Sequence, residues 1–306
     1  MMARSLWDIL GSGLDEQSTL STKSPTSLGR VSEEFLPKHL LAFEFDPNRK
    51  LAHFVIEMRN IPSALEHSAA VASKGGLNIL SGFHHAPSQS RNAYWSFFAD
   101  FTNAKTEPAE FADQIRSLAS TLNVRFRTAS SGLLVNSFHF PMIWAGKRAI
   151  AVRADVLTSI FSHVRSLLGA GPASDVLLFQ MGQATGRKSF EQVCALVPRD
   201  LLGREPEIAG GLVAAAGWGI LTVSHLDVSK KTVTIQLAEN FECLSYPKGD
   251  KASSQFMRGF VAGAISGFFQ QRLECVETKC VAKGDEYCEF TVEPVIPSQD
   301  ATVAGM

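Results

Sequence analysis

The chain has 306 residues, 45% of them hydrophobic, and a formal net charge of −1. That length accommodates two domains with separate cores, and so small a charge supplies no field for nucleic acid, so direct nucleic-acid binding is not expected. No apolar run reaches the ~20 residues of a membrane helix. The opening Met1-Met2-Ala3-Arg4-Ser5-Leu6-Trp7 leads into Asp8 and not into the apolar stretch of a signal peptide, so no membrane association is expected and the expected setting is the cytoplasm, where cysteines stay reduced.

Residues 1–34 carry a short amphipathic piece, Leu6-Trp7-x-x-Leu10, and then a Ser/Thr/Gly-rich stretch with too few apolar residues to fold alone. They read as a flexible extension. From 35 to 130 the pattern is strand, helix, strand, strand, helix, strand. Leu40–Phe45 is a short apolar strand closed by Asp46-Pro47-Asn48-Arg49. Ala52–Met58 is the first long strand. A helix opens at Pro62 or Ser63, with Leu65, Ala69 and Ala72 along one face, and stops at Gly75-Gly76. Strands at Leu77–Leu80 and Tyr94–Asp100 follow, with His84-His85 in the loop between them, read as solvent-exposed. A helix over Glu110–Asn123 and a strand over Val124–Phe126 complete a βαββαβ order, the split βαβ arrangement.

A Ser/Gly joint at Thr128–Gly132 is read as the boundary to a second domain over 131–293. His139, between two phenylalanines, reads as a partly buried, satisfied histidine. A helix from Ala154 or Asp155 to Leu168 should bury Leu157, Ile160, Phe161, Val164 and Leu168. A second helix covers Ala173 to about Val197. Its small residues, Gly182 and Gly186 among them, permit close approach of another helix or a flat ligand. No Gly-Lys-Ser/Thr triplet follows, so this is no phosphate loop. After a helix over Glu205–Gly217 the chain turns to strands. Trp218–Ser224 and Thr232–Leu237 flank the turn Asp227–Lys230 as a hairpin, which Phe241 and Cys243 extend. A Phe-rich helix over Phe256–Phe269 comes next, then two strands around Gly284-Asp285, and a polar tail over 294–306.

Four of the five cysteines fall in this last part: Cys243, Cys275, Cys280 and Cys288. Glu277, Cys280 and Cys288 supply three donors of the kind zinc accepts, one short of a structural set. Spacing leaves two readings open, a metal site and a set of small core thiols. The 21 phenylalanines against three tyrosines point to purely apolar walls, in a core or a cavity. No GxGxxG follows a strand for a nicotinamide cofactor, and no convincing nucleophile–base pair is present.

Two resemblances sharpen this reading. Residues 50–128, with Asn60-Ile-Pro-Ser-Ala-Leu65 at the first strand-to-helix turn and Gly76-Leu-Asn-Ile79 after the helix, resemble an ACT domain. This implies a ferredoxin-like regulatory module that pairs side by side. The usual glycine after the proline of that turn is Ser63 here, which sets the amino-acid binding of such modules apart from the fold. The stretch about 135–293, with Ala238-Glu-Asn-Phe-Glu242, Met257-Arg-Gly-Phe260, Gly263 and Glu277-x-x-Cys280-x-x-Lys283-Gly-Asp285-x-x-Cys288-x-Phe290, resembles the V4R (4-vinyl reductase) domain family. That resemblance implies a small-molecule-binding module. In its aromatic-sensing members one Glu and three Cys bind zinc. Three of those ligands carry over to Glu277, Cys280 and Cys288. The remaining cysteine falls at Ser254, leaving Cys243, Cys275 or water to complete the set. The aromatic of the Asn-x-aromatic-Glu motif carries over to Phe241.

The expected fold is therefore α+β, an ACT-like ferredoxin-like βαββαβ domain followed by a mixed helical and antiparallel-sheet V4R-like domain. The expected function is ligand sensing, with Trp218, Phe241, Phe256, Phe260 and Phe268 walling a site for a small, mainly apolar and even aromatic molecule. A homodimer is expected. No helix-turn-helix or ATPase segment is found, so output would pass through a protein partner. The alternatives are a reductase or accessory protein of tetrapyrrole metabolism, and a structural or assembly factor.

Overall fold

The computed structural model describes residues 36–295, apart from positions 41, 88, 197–204, 245, 247, 248 and 250. The N-terminal extension, most of the C-terminal tail and most of the turn expected at 247–250 lie outside the described residues. The chain divides into two compact units, Leu36–Ile150 and a second one beginning at Ala151.

In the first unit, β1 (Phe43–Phe45) precedes the long central strand β2 (Leu51–Arg59). Then come α1 (Ala64–Lys74), β3 (Asn78–His85), β4 (Asn92–Asp100), α2 (Pro108–Arg116) and β5 (Thr121–Thr128). The sheet order is β3-β4-β2-β5, antiparallel throughout, which is the ferredoxin-like topology. β2 is buried from Leu51 to Ile56 because both of its faces are covered. One face carries Phe54 against Phe97, Phe101 and Phe111. The other carries Leu51 and His53. It is covered by Leu134 and by Phe138, whose ring centre lies 5.0 Å from that of His53.

That second cover moves the domain boundary. β6 (Leu133–Val135) pairs with β1, Phe43 opposite Val135, and the hairpin β7 (Met142–Trp144)–β8 (Lys147–Ala149) follows within the same unit. Residues 131–150 thus belong with the first unit and not the second. The Ser/Gly joint is a turn, Ser130 bridging Leu133, which carries the chain back over the sheet. Other local readings shift as well. α1 buries Ala64, Ser68 and Ala72, while Ala69 is exposed. α2 ends at Arg116, and Leu122 lies in β5. His84 and His85 end β3 and are exposed.

The second unit holds α3 (Ala154–Leu168), α4 (Pro172–Leu196), α5 (Glu205–Ala215), β9 (Ile220–Asp227), β10 (Thr232–Ala238), α6 (Phe241–Leu244), α7 (Gln255–Phe269), β11 (Leu273–Lys279) and β12 (Cys288–Pro294). The strands form an antiparallel sheet ordered β11-β12-β10-β9. α4 and α7 lie backbone to backbone. A Cβ on Gly182 or Gly186 of α4 would overlap the carbonyl oxygens of Phe256 and Phe260, and one on Gly259 or Gly263 of α7 would overlap those of Phe179 and Gln183. The small residues therefore serve a second helix. α3 turns Thr158 and Phe161 inward, leaving Ile160 and Leu168 about half exposed against expectation. Both units together are α+β, and among the described residues no helix is long and apolar enough to cross a membrane.

Phe241 and Cys243 do not extend β10. Glu239 takes a positive φ of 52°, which turns the chain out of the strand. The Asn240 side-chain oxygen then accepts from the Glu242 N–H at 3.1 Å and caps the short helix α6.

Candidate metal centre and aromatic cluster

α6 places three consecutive side chains in three different settings. Phe241 joins a cluster of rings. It lies 5.7 Å from Trp218, 6.3 Å from Phe256 and 6.3 Å from Phe161, measured between ring centres. Phe161 stacks on Phe256 at 4.9 Å, and Trp218 meets Phe260 edge-on at 5.1 Å. Four of the five wall residues expected from sequence thus come together, with Phe161 added from α3. Phe268 does not join them. It sits further along α7, against Phe190 and Phe269.

Glu242, wholly buried, reaches the start of α7. Its carboxylate accepts from the N–H groups of Phe256 (3.2 Å) and Met257 (2.9 Å), two donors that a helix start leaves unpaired. Arg165 approaches the same carboxylate at 3.5 Å. It also donates to the Ser253 carbonyl at 2.7 Å and to the Tyr246 hydroxyl, and lies over the Tyr246 ring. Burial pushes the Glu242 pKa up to about 7, against the opposing pull of these donors. Sequence reasoning quoted Glu242 within a motif but gave it no role, and it did not single out Arg165. An acid set between Phe and Cys in an apolar stretch was the one available signal.

Cys243 completes the third setting. Its sulfur lies 3.5 Å from that of Cys280 and 3.6 Å from that of Cys288, and with a Glu277 carboxylate oxygen the four donor atoms all fall within 4.8 Å of one another. Glu277 and Cys280 arrive on β11 and the residue after it, and Cys288 begins β12, opposite Leu237. The intervening turn, a 3-10 segment Val281–Lys283 ending at Gly284 with φ 101°, is closed by the Cys280 N–H donating to Asp285 at 2.8 Å. Cys275 is buried on β11 outside this group, and burial pushes its thiol up to about 12. Ser254, where the family resemblance led a cysteine to be expected, is buried at the start of α7, where it donates to Glu277 and lies 3.9 Å from the Cys288 sulfur.

This donor set fits a zinc ion. Sulfurs each about 2.3 Å from a tetrahedral zinc lie roughly 3.8 Å apart, close to the separations here. The Glu277 Oε2 atom is buried without a hydrogen-bond partner, and burial pushes that carboxyl up to about 8, so a cation beside it would favour the carboxylate. Donors also converge on the sulfurs. Asn240 Nδ2 approaches Cys288 at 3.2 Å and Cys243 at 3.5 Å, and the Val281 N–H points at Cys288 at 3.4 Å. Such contacts favour thiolates. Hydrogen bonds from Cys243 and Cys288 pull the Cys280 thiol down, while its bonds to Cys280 and Cys288, with burial, push Cys243 up.

Fold and site together define an α+β module in which a Cys₃Glu cluster closes against an aromatic cluster. The chain belongs to the V4R domain family. The V4R domain matches residues 233–294. The uncharacterized protein MJ0150 of Methanocaldococcus jannaschii is 32% identical over 136 residues, 44% of this chain and 74% of that one. Among solved structures, the chain is similar to the phenol-responsive sensory domain of the transcription activator PoxR with phenol (17% identity, 51% of this chain and 82% of that one, TM-score 0.44). It is also similar to a vinyl-4-reductase family protein from Methanocaldococcus jannaschii (16% identity, 48% and 85%, TM-score 0.34).

Proposed function

We propose that this chain is a ligand-sensing regulatory protein of the cytoplasm. It takes a small, mainly apolar molecule against Trp218, Phe241, Phe256 and Phe260, next to a zinc ion held by Cys243, Glu277, Cys280 and Cys288. The observation that carries this reading is the run Phe241-Glu242-Cys243 on one short helix. A molecule that displaces the Phe241 ring must also move the residue capping α7 and the residue tied to the sulfur cluster. Ring displacement is thereby converted into a shift of α7 and the β11–β12 turn. Zinc, when bound, crosslinks α6 to that turn, and the cross-link gives the shift a rigid fulcrum. The protein works as a homodimer whose first unit is an ACT-like regulatory module, and a protein partner carries the output.

The test uses tag-free protein. Elemental analysis should return one zinc per chain, mass spectrometry of the native protein should return a co-purifying apolar compound, and calorimetric titration with phenol and longer alkylphenols should show binding that Phe241→Ala weakens at least tenfold. Absence of any bound compound, with no alkylphenol binding, would count against sensing. A bound redox cofactor absorbing in the visible would favour a reductase.

A further inference from the structure

The second face of the first sheet gathers cations that no acid offsets. β5 sets Arg125 opposite Val55 and Arg127 opposite His53, so both side chains leave the sheet on the face that Phe138 covers. Their guanidinium carbons lie 5.4 and 5.6 Å from the centre of the Phe138 ring, and both residues are exposed. Two imidazoles stand beside them. The His53 ring lies 5.0 Å from Phe138 and 5.7 Å from His139, and Phe83 of β3 packs on His139 at 5.1 Å. His53 is wholly buried, and its Nδ1 atom has no hydrogen-bond partner. Arg49 and Arg116 of the same unit each pair with an aspartate. Arg125 and Arg127 have no such pair among the described residues, and contact with Phe138 is what holds them. The acids of this face are engaged elsewhere. Glu57 accepts from Asn92 at 2.7 Å and from Tyr94 at 3.2 Å, and Asp100 faces Arg49 and Thr102. Glu44 of β1, opposite Leu134, makes no ion pair among the described residues. The uncancelled charge registers on the histidines. Burial lowers the pKa of both His53 and His139, and Arg125 lowers both further.

We infer that Arg125, Arg127 and His139 form a binding site for a phosphate group carried by a small soluble molecule. A guanidinium held by ring contact leaves its N–H donors free. Residues two apart on a strand stand about 7 Å apart, so the forks of Arg125 and Arg127 can close on one anion from two sides. A phosphate has oxygens for both forks, whereas a single carboxylate matches one. His139 has Nδ1 on the Asn136 side-chain oxygen at 2.9 Å, so its Nε2 becomes a donor on protonation, which a bound anion favours. Phe138 sets the spacing of the two arginines, and it is carried by the segment after β6 that folds back over the sheet. Every residue of this site belongs to the first unit, so it stands or falls separately from ligand sensing in the second.

The full chain is titrated with inorganic phosphate by calorimetry, at low ionic strength in a phosphate-free buffer. The wild type should bind with a millimolar dissociation constant, and so should Lys74→Gln, which removes an exposed charge from α1. Arg125→Gln/Arg127→Gln should bind at least tenfold more weakly with circular dichroism unchanged. Should that variant lose its fold, Arg125→Lys and Arg127→Lys keep the charge, remove the fork and should each weaken binding at least threefold. In proton NMR the His139 imidazole should titrate at higher pH in phosphate than in chloride of equal ionic strength, and the double variant should show no such difference. No heat at tens of millimolar phosphate overturns the inference. An equal loss in Lys74→Gln also overturns it, as a diffuse charge effect, and binding of succinate as tight as that of phosphate overturns it as a carboxylate site. Attachment to vesicles of phosphatidic acid without binding of free phosphate overturns it in favour of a membrane surface. Alkylphenol binding is read separately and decides the sensing proposal.

Discussion

The sulfur of Cys243 lies 3.5 Å from that of Cys280, though the two residues are 37 positions apart. Cys243 sits on the short helix that also holds Phe241, and Cys280 enters the turn that leads to Cys288. The fourth donor of the cluster is therefore on α6, while the position at the start of α7 is occupied by serine.

This arrangement distinguishes two residues by experiment. Cys243→Ser should lower zinc content to well under half an ion per chain, because the remaining set loses a thiolate. Ser254→Ala should leave zinc content near that of the wild type, since its hydroxyl is bonded to Glu277 and not needed as a donor. Elemental analysis of the two purified variants reads the outcome directly. Zinc lost from Ser254→Ala and retained in Cys243→Ser would place the fourth ligand at Ser254.

Glu242→Ala should be among the most destabilising single changes in the second unit. It leaves Arg165 without its buried partner and two N–H groups at the start of α7 unpaired. Removing one member of a buried ion pair costs about 3–5 kcal/mol. Glu242→Gln keeps an acceptor for the helix and should cost less. Urea unfolding followed by tryptophan fluorescence gives both values, and a change under about 1 kcal/mol for the alanine variant would contradict the packing described.

Gly182→Ala and Gly259→Ala should each force α4 and α7 apart. The added methyl group meets a backbone carbonyl that cannot rotate away. Overpacking of this kind costs about 1–3 kcal/mol and more where backbone must move. Gly211, with open space around its Cβ position, is the control. Gly211→Ala, inside α5, should be neutral or stabilising by up to about 1 kcal/mol. Thermal melts of the three variants test the contrast.

His53 gives the first unit a pH-dependent stability. Its ring is buried, with one nitrogen 3.0 Å from the Ser96 hydroxyl and the other without a partner. Burial lowers its pKa to about 4, helped by His139 and Arg125. Between pH 4 and its unfolded value of about 6.5 the unfolded chain binds the extra proton, so stability is complete above pH 6.5 and falls as the pH drops toward 4. The shift corresponds to on the order of 3 kcal/mol. Denaturation of wild type and His53→Gln across this window should show a steeper loss in the wild type, and parallel curves would refute the assignment.

Much of the first unit was legible because its strands and helices carry local signals. Ala52–Met58 is apolar at nearly every position, and Gly75-Gly76 stops α1 where expected. The misreadings share a cause. Residues 131–150 looked like the start of a new domain because a Ser/Gly turn resembles a linker. Only the pairing of Val135 with Phe43 shows the chain folding back over the sheet. In α3, periodicity marked Ile160 as a core residue, but a helix with two apolar sides gives no local sign of which side its own core takes.

The sequence by itself determined the α+β class, the order of most of the elements, the family and three of the clustered donors, since each rests on the identity and spacing of residues near one another in the chain. It determined four of the ring residues for the same reason. Tertiary structure decided the fourth donor, the role of Glu242 and the separation of Phe268 from the other rings. Those depend on how α6, α7 and β11 are brought together, and no spacing along the chain encodes a contact between Cys243 and Cys280 that forms only when a positive φ at Glu239 turns the strand into a helix.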